Sequence, residues 1–160
     1  QEGDIVLLDM GATVGGYYSD ITRTYVFGKP TQKQRTIWEL EREAQNSLFE
    51  TAQIGTPCEN LDTAARNYLE KFGLGPNYET PGLPHRAGHG LGLDIHEHPY
   101  IVKGNMDAIA EGMCFSNEPM ICIYEEFGVR LEDHIYITSN GPKWFTEPAL
   151  SIDNPFGYHE

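Results

Sequence analysis

The first part of the chain constrains its fold most, because it is typical of a β-hairpin. Residues 4–9 read Asp-Ile-Val-Leu-Leu-Asp, a short apolar run that suits a buried strand. Residues 11–16 are rich in glycine, which favours a turn, and residues 17–27 are rich in the aromatic and β-branched side chains of a second strand. We therefore predict that these two strands pair in an antiparallel hairpin.

Two carboxylates come together in this hairpin if its turn is centred near Val14 and Gly15. Asp9 then lies roughly opposite Asp20. Two carboxylates that face each other in a half-buried sheet repel, so that either one is protonated or a cation lies between them. A solvated position of Asp20 at the edge of the sheet is the alternative, and the hairpin alone leaves both interpretations open.

The middle of the chain predicts two helices. Thr31 and Gln34 form a capping box, and the apolar stripe that follows predicts a helix that Gly55 ends. Thr56 is the expected N-cap of a second amphipathic helix, which Gly73 ends.

The remaining segments predict a loop and two more strands. Residues 76–92 contain seven glycines and prolines and read as a loop, whereas residues 113–124 and 127–138 read as strands. Residues 139–160 carry turn signals. No linker, repeat or low-complexity tract divides residues 1–160, so we predict one domain with an α+β fold, in which helices pack on a mostly antiparallel sheet.

The composition excludes several classes of partner. Apolar residues make up 39% of the chain and charged residues 22%, which are ordinary values for a globular domain. The net charge of −13 would repel nucleic acid, and no stretch of 18 apolar residues is present to span a membrane. The three cysteines form no C-x-x-C pair, which argues against a disulfide framework or a cysteine-type zinc site and favours reduced thiols in a cytoplasmic compartment.

Histidines are concentrated in one segment of the chain. A single histidine in a loop is usually just solvated, but four of the six histidines lie within fourteen residues, beside Asp94 and Glu97. This density indicates a metal or catalytic site. The glycines on both sides of His89 allow another backbone or a ligand to approach it closely. The four histidines are His85, His89, His96 and His98. We expect some of them to have no role in the site, and His98 is the first candidate for such a histidine.

Three more charged residues are candidates for the same site. Alternation along a strand places Arg130 and Glu132 on the same face, so that both project into one space, although a surface ion pair would have the same pattern. Glu118 lies within an apolar stretch, and a buried acid requires a partner such as a metal ion.

Together these segments offer four carboxylates and one imidazole. Such a ligand set suits divalent Mn, Co, Fe or Zn. Five ligands, some of them bridging, are enough for two metals about 3.5 Å apart, which could activate a water and polarise a carbonyl. The candidate ligands are Asp9, Asp20, His89, Glu118 and Glu132.

Five short motifs in this order resemble the pita-bread metallopeptidases, which include methionine aminopeptidase, aminopeptidase P and prolidase. The match extends from about Gly3 to about Thr138. The motifs are Asp9-Met-Gly, Asp20-Ile-Thr-Arg-Thr, Gly-His89-Gly-Leu-Gly, Glu118-Pro and Arg130-Leu-Glu132-Asp. The resemblance implies the pita-bread (creatinase/aminopeptidase-like) fold, an antiparallel curved sheet with flanking helices.

The resemblance also implies roles for the five candidate ligands. Asp9 would chelate one metal, Asp20 and Glu132 would bridge both, and His89 and Glu118 would bind the other. Glu118 would in addition act as the base or proton shuttle for a metal-bridging water, which attacks the peptide carbonyl as hydroxide. Two divalent ions are implied, with Mn favoured over Co, Fe or Zn.

Three further positions imply the substrate. His96 matches a histidine that contacts the substrate and stabilises the tetrahedral intermediate. His85, four residues before His89, and Arg130, two before Glu132, resemble the proline-cleaving branch. The expected activity is that of a metal-dependent exopeptidase, an Xaa-Pro dipeptidase or aminopeptidase acting on a peptide with proline after the scissile bond. The resemblance also implies a homodimer.

The chain departs from the family pattern at its start. It begins at what should be a middle strand, so the first half of the internal repeat of the family domain is largely missing. A histidine that assists the leaving nitrogen in the family is missing as well. We therefore expect a fragment that lacks the N-terminal part of the domain.

Other functions on the same fold are alternatives. They are a metal-dependent lyase, a creatinase-like C–N hydrolase and a non-catalytic peptide-binding module. The complete ligand set argues against the last two, because creatinase-like members need no metals and binding modules have lost ligands.

Overall fold

The computed structural model describes residues 1–157, and the last three residues of the predicted domain lie outside this part. None of the helices within residues 1–157 has the length and apolar character needed to cross a bilayer. In chain order, the elements are β1 (Ile5–Val14), β2 (Tyr17–Val26), α1 (Gln32–Thr51), α2 (Cys58–Glu70), β3 (Gly88–Gly90), β4 (Glu97–Ile101), β5 (Cys114–Asn117), β6 (Met120–Ile123), β7 (Phe127–Arg130), β8 (Asp133–Thr138) and β9 (Gly141–Trp144).

The predicted hairpin is present, but its register differs from the prediction. The turn consists of Gly15 and Gly16, both with positive φ, which a tight two-residue hairpin turn requires and glycine adopts without strain. Strand β1 therefore continues through the segment predicted as a turn, and Asp9 pairs with Thr22 while Gly11 pairs with Asp20. Asp9 and Asp20 thus lie diagonally on one face of the hairpin instead of directly opposite each other.

The other strands form two antiparallel arrangements. Five of them make a sheet in the order β4-β3-β5-β8-β9, while β6 and β7 form a separate hairpin. An isolated antiparallel bridge between Thr22 and Glu132 joins the β1–β2 hairpin to the chain between β7 and β8. The α+β prediction with antiparallel pairing is confirmed.

Two segments that were each predicted as one continuous strand are interrupted in the structure, and this corrects the prediction. The strand expected over 113–124 stops after Asn117 and resumes at Met120, because Pro119 has no N–H to continue the ladder. The strand expected over 127–138 is interrupted at Leu131 and Glu132, where the chain leaves β6 as its partner and joins β5. The segment predicted as a loop, 76–92, contains the short strand β3, and neither β4 nor β9 was predicted.

The helices begin and end close to the predicted positions. The capping box of Thr31 and Gln34 starts α1 as expected. Helix α1 ends four residues before Gly55, and α2 has Pro57 as its N-cap, not Thr56. No side chain caps α2, because the backbone carbonyls of Asp107 and Asn105 accept hydrogen bonds from its first N–H groups at 2.9 and 2.8 Å.

Both helices pack on the sheet and enclose the core. Trp38 of α1 is buried, and its Nε1–H donates to the carbonyl of Thr24 at 2.9 Å, which fastens the helix to β2. Gln45 of α1 donates to Asp133 Oδ2 at 3.1 Å, and Arg23 of β2 donates to Asp133 Oδ1 at 2.7 Å. The largest side chains of this core include Leu48, Leu61, Leu69, Phe115 and Ile135.

A buried ion pair on α2 holds the segment that follows this helix. Arg66 Nε donates to Asp62 Oδ2 at 2.7 Å, and both side chains are almost completely buried. Arg66 also donates to the carbonyls of Leu83 and His85, at 2.7 and 2.6 Å, while Asp62 accepts from the Ala87 N–H at 3.0 Å. The pair therefore fixes the backbone on both sides of residue 86.

We predict that Arg66→Met destabilises the protein by about 3–5 kcal/mol, because it leaves Asp62 as a buried charge without its partner. The measurement is the free energy of unfolding from urea denaturation. Lys33→Met is the control, since Lys33 pairs with Glu126 at 2.5 Å with both side chains about half exposed, and such pairs contribute little. Equal losses in both variants would contradict the structural role assigned to Arg66.

Candidate metal centre

A cleft of about 610 Å³ contains most of the residues that the sequence singled out. Strands β1 and β2 form one side of it, and segments next to β3, β4, β5 and β7 form the others. A larger cavity of about 800 Å³ lies elsewhere and contains none of the five predicted ligands. The cleft is lined by Asp9, Asp20, Tyr78, His85, Arg86, Ile95, His96, Val102, Glu118, Arg130 and Glu132.

His89 lies buried at the base of this region, in β3. A Cβ at Gly90 would lie 2.7 Å from the Glu97 carbonyl oxygen, so only glycine lets the neighbouring strand approach this closely. The Nδ1 atom of His89 lies 3.0 Å from the Gly90 carbonyl, which orients Nε2 towards the carboxylates. That Nε2 is 3.2 Å from Glu118 Oε1 and 3.9 Å from Asp20 Oδ2.

Glu132 is positioned by Thr22 across the isolated bridge. The two backbones exchange hydrogen bonds of 3.3 and 3.1 Å, and the Thr22 hydroxyl donates to Glu132 Oε2 at 2.8 Å. The other carboxylate oxygen, Oε1, lies 3.9 Å from His89 Nε2. Arg130 projects into the same space, as predicted, and donates to Thr22 Oγ1 through Nε at 3.2 Å and to Asp9.

The remaining carboxylates differ in exposure. The Asp20 side chain is 11% exposed, whereas that of Asp9 is 50% exposed at the cleft opening. His134 Nε2 accepts the backbone N–H of Asp20 at 2.9 Å, and so fixes the backbone of β2 at this residue. Glu118 follows β5, where Ser116 Oγ lies 3.3 Å from its Oε1 and accepts the His89 N–H at 3.0 Å.

The donor atoms of these residues fit divalent metal ions. Three overlapping sets each have their ligand atoms within 4.8 Å of one another: Asp20, His89 and His96; His89, Glu118 and Glu132; and Asp9, Asp20 and Glu132. Within residues 1–157, His89 Nε2 and Glu132 Oε1 are buried and have no hydrogen-bond partner. Such atoms are costly in a fold unless something binds them, and a cation satisfies both.

Burial dominates the electrostatics of the cluster. It raises the pKa of Glu132 to about 8, with the charges of Glu118 and Asp20 adding to the shift. Burial also raises the pKa of Glu118 to about 7, although Arg130 and Arg86 oppose this change. Burial lowers the pKa of His89 to about 4 and keeps its imidazole neutral, which is the form that binds metals. The centre therefore holds protons on its carboxyls that a cation must displace.

The other predicted histidines occupy different positions. The ring of His96 is exposed and packs edge-on against that of His89, with centroids 4.3 Å apart. His85 lies in the cleft wall, with Nε2 buried and without a partner among the described residues. His98 lies outside the cleft against Tyr100, with ring centroids 4.7 Å apart.

Several residues of the cleft were not singled out from the sequence. Thr22 could have been found by alternation, because it lies two residues after Asp20 on the same face of β2. Nothing in the sequence distinguishes Arg86 from an ordinary surface arginine. The apolar lining residues Ile95 and Val102 enter the cleft only through the tertiary fold.

The profile of metallopeptidase family M24 matches residues 1–139 of this chain. The chain belongs to metallopeptidase family M24. Among curated relatives, the Xaa-Pro dipeptidase of Lactobacillus helveticus is 45% identical over 146 residues, which are 91% of this chain and 38% of that protein. This membership confirms the resemblance that the five motifs indicated.

Solved structures of family M24 share the fold. The prolidase from Pyrococcus furiosus matches with a TM-score of 0.85 and 42% identity, over 92% of this chain and 42% of that chain. The X-Pro aminopeptidase from Thermotoga maritima MSB8 matches with a TM-score of 0.85 and 31% identity, over 92% of this chain and 40% of that chain. The predicted pita-bread fold is confirmed, and the chain spans about two fifths of the length of these relatives.

We predict that Mn²⁺ stabilises the metal-free protein more near pH 8 than near pH 6. The pKa values of Glu118 and Glu132 lie above their usual 4.5, so their protonated forms stabilise the fold at low pH, and this contribution is lost as the pH rises through about 7 and 8. At the higher pH fewer of these carboxyls are protonated, so a cation competes with fewer protons for them. The shift in Tm on adding Mn²⁺ measures this effect, and equal shifts at both pH values would contradict it.

We also predict that Thr22→Val weakens metal binding roughly 10- to 100-fold, because it removes the hydroxyl that orients Glu132. Calorimetric titration with Mn²⁺ gives the affinity. Thr24→Val is a matched control, since among residues 1–157 the Thr24 hydroxyl bonds only the Arg130 backbone. If both variants bind Mn²⁺ as the unmodified protein does, Thr22 does not position the metal centre.

Proposed function

We propose that this chain is the catalytic domain, over residues 1–160, of a dinuclear-metal hydrolase that cleaves the peptide bond before proline. The observation that carries the proposal is the convergence of three carboxylates on one buried imidazole, from segments far apart in sequence, with Asp9 grouped beside two of those carboxylates. Identity to relatives supports the dipeptidase within this class, at 42% for a prolidase against 31% for an X-Pro aminopeptidase. We further propose a cytoplasmic homodimer that acts on peptides.

In this proposal the five predicted ligands hold two divalent cations. Mn is favoured, and Co, Fe or Zn are alternatives, because oxygen ligands with one imidazole suit all four. When bound, the cations supply Lewis acidity, which polarises a carbonyl and lowers the pKa of water. The ligands are Asp9, Asp20, His89, Glu118 and Glu132.

Side chains of this protein carry out the other steps of the proposed hydrolysis. Glu118 acts as the general base that takes a proton from water, and a pKa raised by burial to about 7 suits that role near neutral pH. His96, exposed beside His89, donates to the carbonyl oxygen as negative charge develops on it. His85 and Arg130 contact the substrate from the cleft wall.

We predict that Glu118→Gln lowers the kcat for Xaa-Pro dipeptides by roughly 10²- to 10⁴-fold, because the amide cannot accept the proton from water. Asp20→Asn should abolish turnover together with stoichiometric metal, because it removes a carboxylate that would hold the cations. The measurements are release of proline and metal content per chain, with the intact protein loaded with Mn²⁺.

Glu126→Gln is the control for both variants. It removes an exposed carboxylate that pairs with Lys33 and lies outside the cleft, so hydrolysis should be unchanged. Unaltered hydrolysis in Glu118→Gln and Asp20→Asn would end the proposal. Turnover of small zwitterionic substrates without Xaa-Pro hydrolysis would instead indicate a lyase or C–N hydrolase.

A further inference from the structure

The buried amide of Gln45 on α1 joins two segments that carry candidate ligands. Its Nε2 donates to the Asn117 carbonyl and to Asp133 Oδ2, both at 3.1 Å, and its backbone carbonyl accepts from Asn117 Nδ2 at 2.8 Å. Its Oε1 accepts from Arg42 at 3.1 Å. The side chain is completely buried, and both polar atoms of its amide have partners, so this orientation leaves no polar group of the amide unsatisfied.

The two partners of Gln45 are the last pair of the ladder between β5 and β8. Asn117 lies opposite Asp133, and continued pairing would place Glu118 opposite Glu132. Instead the ladder ends, because β5 stops at Asn117 and β8 starts at Asp133. We call this point, after Asn117 and before Asp133, the fork. Two of the five candidate ligands are therefore the first residues beyond the fork, one on each side.

Beyond the fork, the two ligands have different backbone partners. The Glu118 N–H donates to the Ala87 carbonyl at 3.0 Å, whereas the Glu132 N–H donates to the Thr22 carbonyl at 3.1 Å. Neither bond links one ligand to the other. The spacing between the two carboxylates therefore depends on what holds the two sides of the fork together.

Gln45 bonds both sides of the fork, through Asn117 and Asp133. Arg23 supports the Glu132 side, because it donates to the Glu132 carbonyl at 2.9 Å and to Asp133 Oδ1 at 2.7 Å. Separating the two sides would break hydrogen bonds of a buried amide and a buried carboxylate, which water does not replace in the core. Helix α1 therefore acts as a clamp across the end of the ladder.

We propose that Gln45 is a positioning residue, which holds the fork at the width that lets Glu118 and Glu132 bind cations together with His89. The inference rests on the proposed function for those cations. The Oε1 atoms of the two glutamates lie 3.2 and 3.9 Å from His89 Nε2. Metal–ligand distances vary by only about 0.2 Å, and contacts behind the ligands typically change metal affinity 10- to 100-fold. Among residues 1–157, Gln45 bonds none of the five ligands, so it acts through the backbone of the fork.

The first test compares Gln45→Met with the unmodified protein. Methionine has a similar length but no amide, so it fills the space without forming the side-chain hydrogen bonds. We expect the affinity for Mn²⁺ to fall roughly 10- to 100-fold in calorimetric titration well below the Tm of each protein. The electron paramagnetic resonance spectrum should also lose the signal of two coupled Mn²⁺ ions, because Glu118 and Glu132 no longer hold the cations side by side.

Gln34→Met is the matched control. Gln34 is another buried glutamine of α1, and its Nε2 donates to the Gly3 carbonyl at 2.9 Å, away from the fork. Its replacement should lower the free energy of unfolding but leave the Mn²⁺ affinity and the spectrum unchanged. An equal loss of affinity in both glutamine variants would overturn the inference, because affinity would then follow general stability.

Asn117→Ala tests the same link with a smaller change. It removes the 2.8 Å bond to the Gln45 carbonyl and leaves both acceptors of the Gln45 amide in place. The Mn²⁺ affinity should fall roughly 2- to 10-fold, as for the loss of one hydrogen bond. Unchanged affinity in Asn117→Ala overturns the inference if Gln45→Met also binds Mn²⁺ normally or does not fold.

Amide hydrogen exchange in the metal-free protein separates this inference from the proposed function. Opening of the fork exposes the N–H groups of Glu118 and Glu132, so in Gln45→Met their exchange should accelerate roughly 10-fold beyond that of the buried amides of α2. Gln34→Met should show no such difference. If the unmodified protein binds no Mn²⁺, the hydrolase proposal fails, and the exchange experiment alone then tests Gln45. Selective acceleration at the two glutamates supports the positioning role, and equal acceleration throughout the chain rejects it.

Discussion

The antiparallel bridge between Thr22 and Glu132 is the contact on which the geometry of the cleft depends. It joins a hairpin at the start of the chain to a strand break more than a hundred residues later, with hydrogen bonds in both directions. The same threonine hydroxyl orients the Glu132 carboxylate and accepts from Arg130. This contact, together with the hydrogen bonds from the Tyr18 N–H to the Gly92 carbonyl and from the Asp20 N–H to His134, both 2.9 Å, sets the distance between the aspartates of the hairpin and the remaining ligands.

Each ligand outside the hairpin lies where regular strand pairing is disturbed. The register between β3 and β4 shifts directly after His89, Glu118 follows the end of β5, and Glu132 stands between β7 and β8. At such points the backbone changes partners, and a side chain can turn out of the sheet towards a neighbouring one. The five-stranded sheet, the β6–β7 hairpin and the β1–β2 hairpin meet at these interruptions, so the cleft forms at their junction.

Gathering these groups costs stability in the absence of bound cations. Burial and mutual repulsion raise the pKa values of Asp20, Glu118 and Glu132, and within residues 1–157 the buried ligand atoms His89 Nε2 and Glu132 Oε1 have no hydrogen-bond partner. The rest of the fold offsets this cost with fully satisfied polar contacts, such as those of Asp133 with Arg23 and Gln45. A concentration of such unfavourable groups in one cleft is the pattern expected of a functional site.

The sequence by itself determined the chemical groups and the local elements. The capping box of Thr31, the helix and strand types and the ligand motifs follow from interactions between residues close together in the chain, which spacing and side-chain type reveal. Only the tertiary structure decided the hairpin register, the interruption at Leu131, and the place of Arg86 in the cleft. These depend on which distant backbone groups pair and on which charges remain unpaired after packing, and such contacts leave no periodic signal along the chain.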